Sequence, residues 1–369
     1  MLITNHLSGF GIARAPLKGL WSFGSNSQHG SLGLGDLIDR NRPTHVNLSG
    51  SVSNIICGDS ATITLKADGT LWAWGRNDRG QLGLGDTTDR TAPVPIGTDA
   101  NWARIMTAGG VGLAIRKDGS LWVWGNDYHG EAGTGQHYLF TTTPSPVNPG
   151  TTWINGGGGD SHTFAIRSDG TLWGTGYNGF GQLGLGDTIE RDGFTQIGSA
   201  TNWVEVAGGA GHTIARRGGT LWAWGYNGSG QLGLGDTADR HAPVQVGDWT
   251  DWTNVAASTS GYFSIALRSA NTLWMCGAND LGQLGFGDTA ERHAFTQVGT
   301  GTNWASVFAG RDFVAALKMD GTLWTWGNND CGQLGLGDNA NRLSPVRVGT
   351  GTAWAKVACG YRSTIVATA

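Results

Sequence analysis

From Trp203 the chain reads Trp-Val-Glu-Val-Ala, then His-Thr-Ile-Ala-Arg from His212, then Thr-Leu-Trp-Ala-Trp from Thr220. Apolar and polar positions alternate within each short run, the period of a β-strand. The pattern predicts strands at Trp203–Ala207, His212–Arg216 and Thr220–Trp224, with Gly218-Gly219 as a two-residue hairpin turn. A short fourth strand is predicted at Pro243–Val246. Its proline suits an outer edge, because proline donates no ladder hydrogen bond.

The same unit recurs seven times. Leu-Trp pairs begin at Leu20, Leu71, Leu121, Leu172, Leu221, Leu273 and Leu323, with spacings of 51, 50, 51, 49, 52 and 50. Each is followed by a version of Gly-Gln-Leu-Gly-Leu-Gly-Asp. A period near 50 fits a four-stranded propeller blade. The expected fold is all-β: one seven-bladed β-propeller with four-stranded blades. Asp68-Gly69, Asp118-Gly119, Asp169-Gly170 and Asp320-Gly321 occupy the second turn and predict type I′ hairpins. Ala270-Asn271 in the sixth repeat predicts a looser turn.

The chain starts on third- and fourth-strand sequence and ends on first- and second-strand sequence. Trp354–Ala369 therefore reads as the inner hairpin that pairs with Leu20–Gly24 and closes the ring, removing the sheet edge. Gly9–Arg14 resembles a second strand and competes for that place. The division expected is an N-terminal arm or accessory strand at 1–19 and a propeller at 20–369.

Composition sharpens this reading. With 64 glycines the chain has material for many turns, and with only 9 prolines and 39 % hydrophobic residues it is not a disordered polymer. Trp21, Trp72, Trp122, Trp173, Trp222, Trp274 and Trp324 share one slot; Trp102, Trp153, Trp203, Trp252, Trp304 and Trp354 share another. Packing between blades is the role expected for both sets. Net charge is -4 with no basic run, so nucleic acid is not an expected partner. No apolar run approaches a membrane span and no signal peptide is read. The compartment expected is the cytoplasm, or an exported or virion-associated state reached by another route. Cys57, Cys276, Cys331 and Cys359 match no metal spacing; Cys57 and Cys359 fall in neighbouring blades, where two free thiols are expected over a disulfide.

Leu71–Asp86 (LWAWGRNDRGQLGLGD) and Leu221–Asp236 (LWAWGYNGSGQLGLGD) resemble the regulator of chromosome condensation repeat. The likeness covers residues 20–369 and is greatest to the tryptophan-rich bacterial or viral form. It implies a rigid disc that binds a protein on one face or rim. The family includes a nucleotide exchange factor for a small GTPase, a plant ultraviolet photoreceptor, domains of large ubiquitin ligases and a bacterial inhibitor of β-lactamase. The photoreceptor's Gly-Trp-Arg-His-Thr motif has only Gly360-Tyr361-Arg362-Ser363-Thr364 as a counterpart, without the tryptophan. Light sensing is not carried over.

Chemistry-bearing motifs are few. Gly179–Gly184 and Gly228–Gly233 match G-x-G-x-x-G, but inside an all-β repeat rather than before a helix, so no cofactor is expected. Asp36, Asp86, Asp187, Asp236, Asp288 and Asp338 each stand four residues before an arginine, a repetition that points to structure. No catalytic or metal-ligating constellation is read.

Function is sought where the repeat breaks. The third repeat replaces the consensus with Gly130–Phe140 and gathers Tyr128, His129, His137, Tyr138 and Phe140, residue types enriched at interfaces. The turn between first and second strands also varies, with Tyr262, Arg311, Asp312, Tyr361 and Arg362 in different blades, and should ring one channel mouth. These ten are the candidate binding residues. The reading is a non-catalytic scaffold for a protein, or a glycan, partner. A structural or adhesive component of an extracellular surface or virion, and an enzyme with its site at the channel mouth, are the alternatives.

Overall fold

The computed structural model describes residues 17–137, 139–147 and 150–369. These residues form 28 strands in seven four-stranded antiparallel sheets. The fifth blade shows how the sequence makes one. Strands β15 (Trp203–Gly208), β16 (His212–Arg217), β17 (Thr220–Gly225) and β18 (Arg240–Gln245) pair in that order. The fourth strand starts three residues before the predicted Pro243. Arg240 lies opposite Gly225 across a register shift, which extends the ladder toward the loop. Pro243 sits in this outermost strand, where its missing N–H costs no ladder bond.

The hairpins correct one expectation. Gly69, Gly119, Gly170 and Gly321 have positive φ, but the aspartates before them do not. The Gly69 amide donates to Lys66 O at 3.0 Å, so the turn is type I followed by a left-handed glycine, not type I′. The aspartate is used differently from the expectation: Asp68 Oδ1 accepts from the Thr70 amide and hydroxyl at 3.0 and 2.7 Å. Asn271 adopts φ 54° in the glycine slot, and its amide reaches Arg268 O at 2.8 Å. The sixth turn is therefore as tight as the others, because asparagine tolerates the left-handed region. Gly218-Gly219 is the two-residue turn expected, joining the paired Arg217 and Thr220.

The ring closes as the C-terminal sequence predicts. β1 (Gly19–Gly24) pairs with β28 (Ser363–Thr368), flanked by β2 (Arg40–His45) and β27 (Trp354–Cys359). Gly9–Arg14, the competing segment, lies outside the described residues. We number this mixed sheet blade 1 and the rest in chain order. First strands β3 (Val52–Cys57), β7 (Trp102–Ala108), β11 (Trp153–Gly158), β15, β19 (Trp252–Ala257), β23 (Trp304–Ala309) and β27 touch in succession and form the inner ring.

The core lies between blades. One cluster joins Ile214, Leu221, Ala223, Leu232 and Val246 of blade 5 to Trp252, Val255, Ala266, Cys276 and Phe295 of blade 6. The first-strand tryptophans Trp102, Trp153, Trp203, Trp252 and Trp304 are buried there. The Leu-Trp tryptophans are only half-buried, and a cation at the end of the second strand covers most of them. Arg116 lies 3.6 Å from the Trp122 ring centroid, Arg167 3.5 Å from Trp173 and Lys318 3.8 Å from Trp324.

A third tryptophan slot escaped the sequence reading. Trp74, Trp124, Trp224 and Trp326 are wholly buried. Their indole N–H groups donate to the carbonyls of Ser31, Gln81, Gln182 and Gln283 in the preceding blade, at 2.7–3.0 Å. Each of these blades thereby clamps the long loop of its neighbour. The loop glycine must be glycine: at Gly184, φ is +73° and a Cβ would lie 2.8 Å from Trp224 Nε1. Cys57 and Cys359 are free thiols. Among the described residues no helix is long and apolar enough to span a membrane.

Candidate functional site

Antiparallel connectivity puts the turns between first and second strands and the long loops between third and fourth strands on one side of the disc, here the turn face. The long loops are built rigidly. In blade 5 the buried Asn227 amide donates to Asp236 O at 2.9 Å and Ala238 O at 3.1 Å, while its Oδ1 accepts from the Leu232 amide at 3.0 Å. Asn26, Asn77, Asn178, Asn279 and Asn329 make the equivalent bonds to their leucine amides and aspartates.

All six Asp–Arg pairs form ion pairs at 2.6–2.7 Å. The aspartate also accepts the amide two residues on; for Asp187, the Arg191 hydrogen bond and then the Ile189 amide hold the carboxyl below its ordinary range. Structure, not recognition, accounts for this repeated pair. The asparagine hub was invisible to pattern reading because a buried polar residue in a glycine-rich loop looks like turn composition.

Blade 3 departs from this plan. Asp127 replaces the asparagine and Glu131 the glutamine. Asp127 accepts from the Ala132 amide at 2.9 Å and the Thr134 hydroxyl at 2.6 Å. Glu131 accepts from the His129 amide at 2.6 Å and from Asn126. Burial raises both carboxyl pKa values. His137 turns to the outer strand of blade 4 and meets Glu190 at 3.1 Å and Asp192, and His129 meets Glu190 at 3.2 Å. The predicted cluster is thus divided. Tyr128 is half-exposed; His129 and His137 are both tied to Glu190 of the neighbouring blade; Phe140 is half-exposed on the outer strand β10 (Leu139–Val147). Tyr138 lies outside the described residues.

Tyr128 and His129 belong to a larger arrangement. Their rings pack edge-on at 4.9 Å between centroids. His129 then meets Tyr177 at 5.0 Å, Tyr177 meets Phe180 at 6.1 Å, Phe180 meets Tyr226 at 5.1 Å, and Tyr226 meets Tyr262 at 5.5 Å. Six rings from blades 3 to 6 form an unbroken arc. Tyr128, Phe180 and Tyr262 are the exposed members, at 49, 39 and 45 %. Tyr177, Phe180 and Tyr226 were missed in the sequence. The available signal was positional: Tyr177 and Tyr226 fill a slot held by Arg76, Asn126 and Ala278 elsewhere.

Inside the arc, the inner turns converge. Ser260 Oγ donates to Asp59 Oδ1 at 3.0 Å, linking blade 6 to blade 2 over the mouth. Asp160 lies on the inner turn of blade 4 and is exposed. Desolvation by the surrounding turns, and next the charge of Asp59, push its pKa up to about 6.

The remaining predicted residues gather on the opposite flank. Arg311 lies 4.8 Å from the Tyr361 ring centroid and hydrogen-bonds its hydroxyl. Arg311 also pairs with Asp312 at 3.3 Å, and Arg362 with Asp330 at 3.3 Å. Burial raises the Asp312 pKa. The turn face is thus aromatic on one side and charged on the other. Among the described residues no three His, Cys, Asp or Glu side chains converge as a metal site.

Comparison with known proteins places this architecture. The RCC1-like domain matches residues 20–306, and regulator of chromosome condensation (RCC1) repeats match 304–333 and 320–367. Human WBSCR16 is 20 % identical, with a TM-score of 0.84 over 95 % of this chain and 100 % of that one. Yeast RCC1 (Prp20), in its complex with Kap60, is 19 % identical, with a TM-score of 0.87 over 100 % of this chain and 94 % of that one. A Saccharomyces cerevisiae Prp20p structure, whose binding to Gsp1p and histones was also characterised, is 20 % identical at a TM-score of 0.85, over 98 and 93 % of the two chains. Seven closed blades, the matched repeats and the ring-closing C-terminal hairpin together make this chain a member of the RCC1-like propeller family.

Proposed function

We propose that the chain is a non-catalytic scaffold that binds a protein partner on its turn face, with the arc from Tyr128 to Tyr262 as the principal contact. The observation that carries this reading is the continuity of the arc. Six aromatic rings from four blades meet in edge-on or tilted contacts, mostly at slots where other blades carry polar, charged or small residues. The inter-blade core does not require them, since the buried clusters are complete without them. Exposed tyrosine and phenylalanine on a rigid frame provide large contact area at low entropic cost. The similarity to yeast RCC1 (Prp20), seen in complex with Kap60, supports protein binding as the use of this disc.

The test is affinity capture from the native source. Three baits are compared: wild type, a Tyr128→Ala/Phe180→Ala/Tyr262→Ala variant, and a chain with 136–140 replaced by Asp-Thr-Ala-Asp-Arg. A partner held by wild type and by the 136–140 variant, but lost from the triple variant, assigns the arc. Loss only with the 136–140 replacement moves the site to the rim of blade 3. Retention by all three removes the turn-face reading.

A further inference from the structure

We infer that the blade 3 loop is fastened to blade 4 by a proton-operated clasp, in which protonated His129 and His137 hold Glu190 and Asp192 and so fix the blade 3 end of the aromatic arc. This rests on the scaffold reading and adds its regulation: partner binding strengthens as the pH falls toward mildly acidic values.

The geometry sets the proton count. His137 Nε2 lies 3.1 Å from Glu190 Oε2, and its Nδ1 meets Asp192 Oδ1. His129 Nδ1 lies 3.2 Å from the other oxygen, Glu190 Oε1. A carboxylate only accepts, and a neutral imidazole carries one N–H. His137 therefore serves both carboxylates only as an imidazolium. Loss of its proton sets lone pair against lone pair at one contact and leaves Glu190 and Asp192 with no shared cation.

The repeat shows what the clasp replaces. In the other six long loops an Asp–Arg pair, such as Asp236–Arg240 at 2.6 Å, braces the loop with charges that do not titrate near neutral pH. Blade 3 has Gln136 and Phe140 at those slots. Its loop is braced instead by histidine, the side chain type that gains and loses its charge in that range. The loop backbone already runs along blade 4, with the Gly135 amide donating to Asp192 O at 2.8 Å. His129 joins clasp to arc, since its ring meets Tyr128 at 4.9 Å and Tyr177 at 5.0 Å.

The charges facing the two histidines are mostly negative. Their own loop contributes Asp127 and Glu131, which feel the charges of His137 and His129 respectively. Blade 4 contributes Glu190, Asp192 and, from its inner turn, Asp160, while its Arg191 is taken by Asp187 at 2.7 Å. Blade 2 contributes Arg79, which donates to Asn126 at 3.0 Å. Burial raises the pKa values of Asp127 and Glu131, so further acid neutralises them and bounds the effect.

The experiment follows amide hydrogen exchange of the whole chain at pH 6 and pH 8, expressed as protection factors that remove the intrinsic pH dependence. In wild type, residues 128–136 are expected to lose about five- to tenfold in protection between pH 6 and pH 8. The matching blade 5 loop, 228–237, is expected to keep its own. His129→Gln/His137→Gln is expected to be poorly protected at both values. His137→Arg carries a constant cation and is expected to show at pH 8 the protection that wild type shows at pH 6. Melting temperatures near wild type establish that both variants fold. Protection indifferent to pH in wild type, a pH step that survives His129→Gln/His137→Gln, or no rescue by His137→Arg overturns the inference. Affinity capture at the two pH values reads the regulation. Several-fold more partner at pH 6 is expected on wild type, and equal amounts on His137→Arg. Equal capture by wild type at both values, with the exchange step intact, overturns the regulation and leaves the scaffold reading standing. Failure to capture at either value counts against the scaffold reading, while the exchange data still decide the clasp.

Discussion

Ser260 and Asp59 are 201 positions apart in sequence, yet the Ser260 hydroxyl donates to the Asp59 carboxylate at 3.0 Å. The bond crosses the mouth from blade 6 to blade 2. It ties turns that share no strand.

Ser260→Ala removes that brace. The expected effect on global stability is small, about 1 kcal/mol or less, because both groups reach solvent. The expected local effect is larger: amide hydrogen exchange at residues 258–262 and 58–60 accelerates while the strands stay protected. Unchanged exchange in both turns would show that the bond does not restrain the mouth.

The inter-blade clamp is the costliest feature to remove. Trp224→Ala empties a buried site and breaks the bond to Gln182 O, an expected loss of about 3–5 kcal/mol in urea unfolding. Trp224→Phe keeps most of the volume and is expected to cost less. Gly184→Ala is also expected to destabilise, because its backbone is left-handed and its Cβ would press on Trp224 Nε1.

The loop hub and the loop ion pair should differ. Asn227 is wholly buried and bonded on both sides of its amide. Asn227→Ala is expected to cost about 1–3 kcal/mol, since it orphans buried backbone groups. Arg240→Ala, which breaks an exposed pair with Asp236, should scarcely move the unfolding midpoint.

Acid should loosen the disc through two buried histidines. Burial lowers the pKa of His162 and His212 to about 3, the positive charge of His162 adding to the effect at His212. Their unfolded values lie near 6.5, so between about pH 6.5 and 3 the unfolded chain binds more protons. Stability from these two groups is complete above pH 6.5 and falls as pH drops toward 3. Asp160 has the opposite sign: its pKa of about 6 exceeds the unfolded carboxyl, so protonating it between about pH 6 and 4 favours the folded chain. Urea midpoints from pH 7.5 to 4.5 should decline, more steeply in Asp160→Asn and less steeply in His212→Gln. A flat profile in wild type would contradict the burial of neutral imidazoles.

The blade count, the strand order and the closing hairpin were legible because each rests on a period or a turn repeated in register. The β18 start was misjudged because Arg240 pairs across an irregularity that alternation does not register. The type I′ expectation failed for a local reason: an Asp-Gly pair scores the same whether the aspartate turns left-handed or caps the threonine beyond it. Tyr128, His129 and Tyr262 were found as departures from the repeat. Tyr177, Phe180 and Tyr226 were not: Tyr177 and Phe180 are neighbours in one loop, but the contacts that extend them into an arc, to His129, Tyr226 and Tyr262, cross blades, and no linear window brings those rings together.

Blade 1 carries one further consequence. It takes strands from both ends of the described chain, and the Lys18 amide donates to Thr368 O at 3.0 Å. The polypeptide therefore behaves as a topological circle interrupted at an arbitrary point. Deleting residues 1–16, joining Ala369 to Leu17 with a short linker and opening the chain instead in a connection between blades, such as the one before Trp252, should yield a rearranged gene product with the same disc.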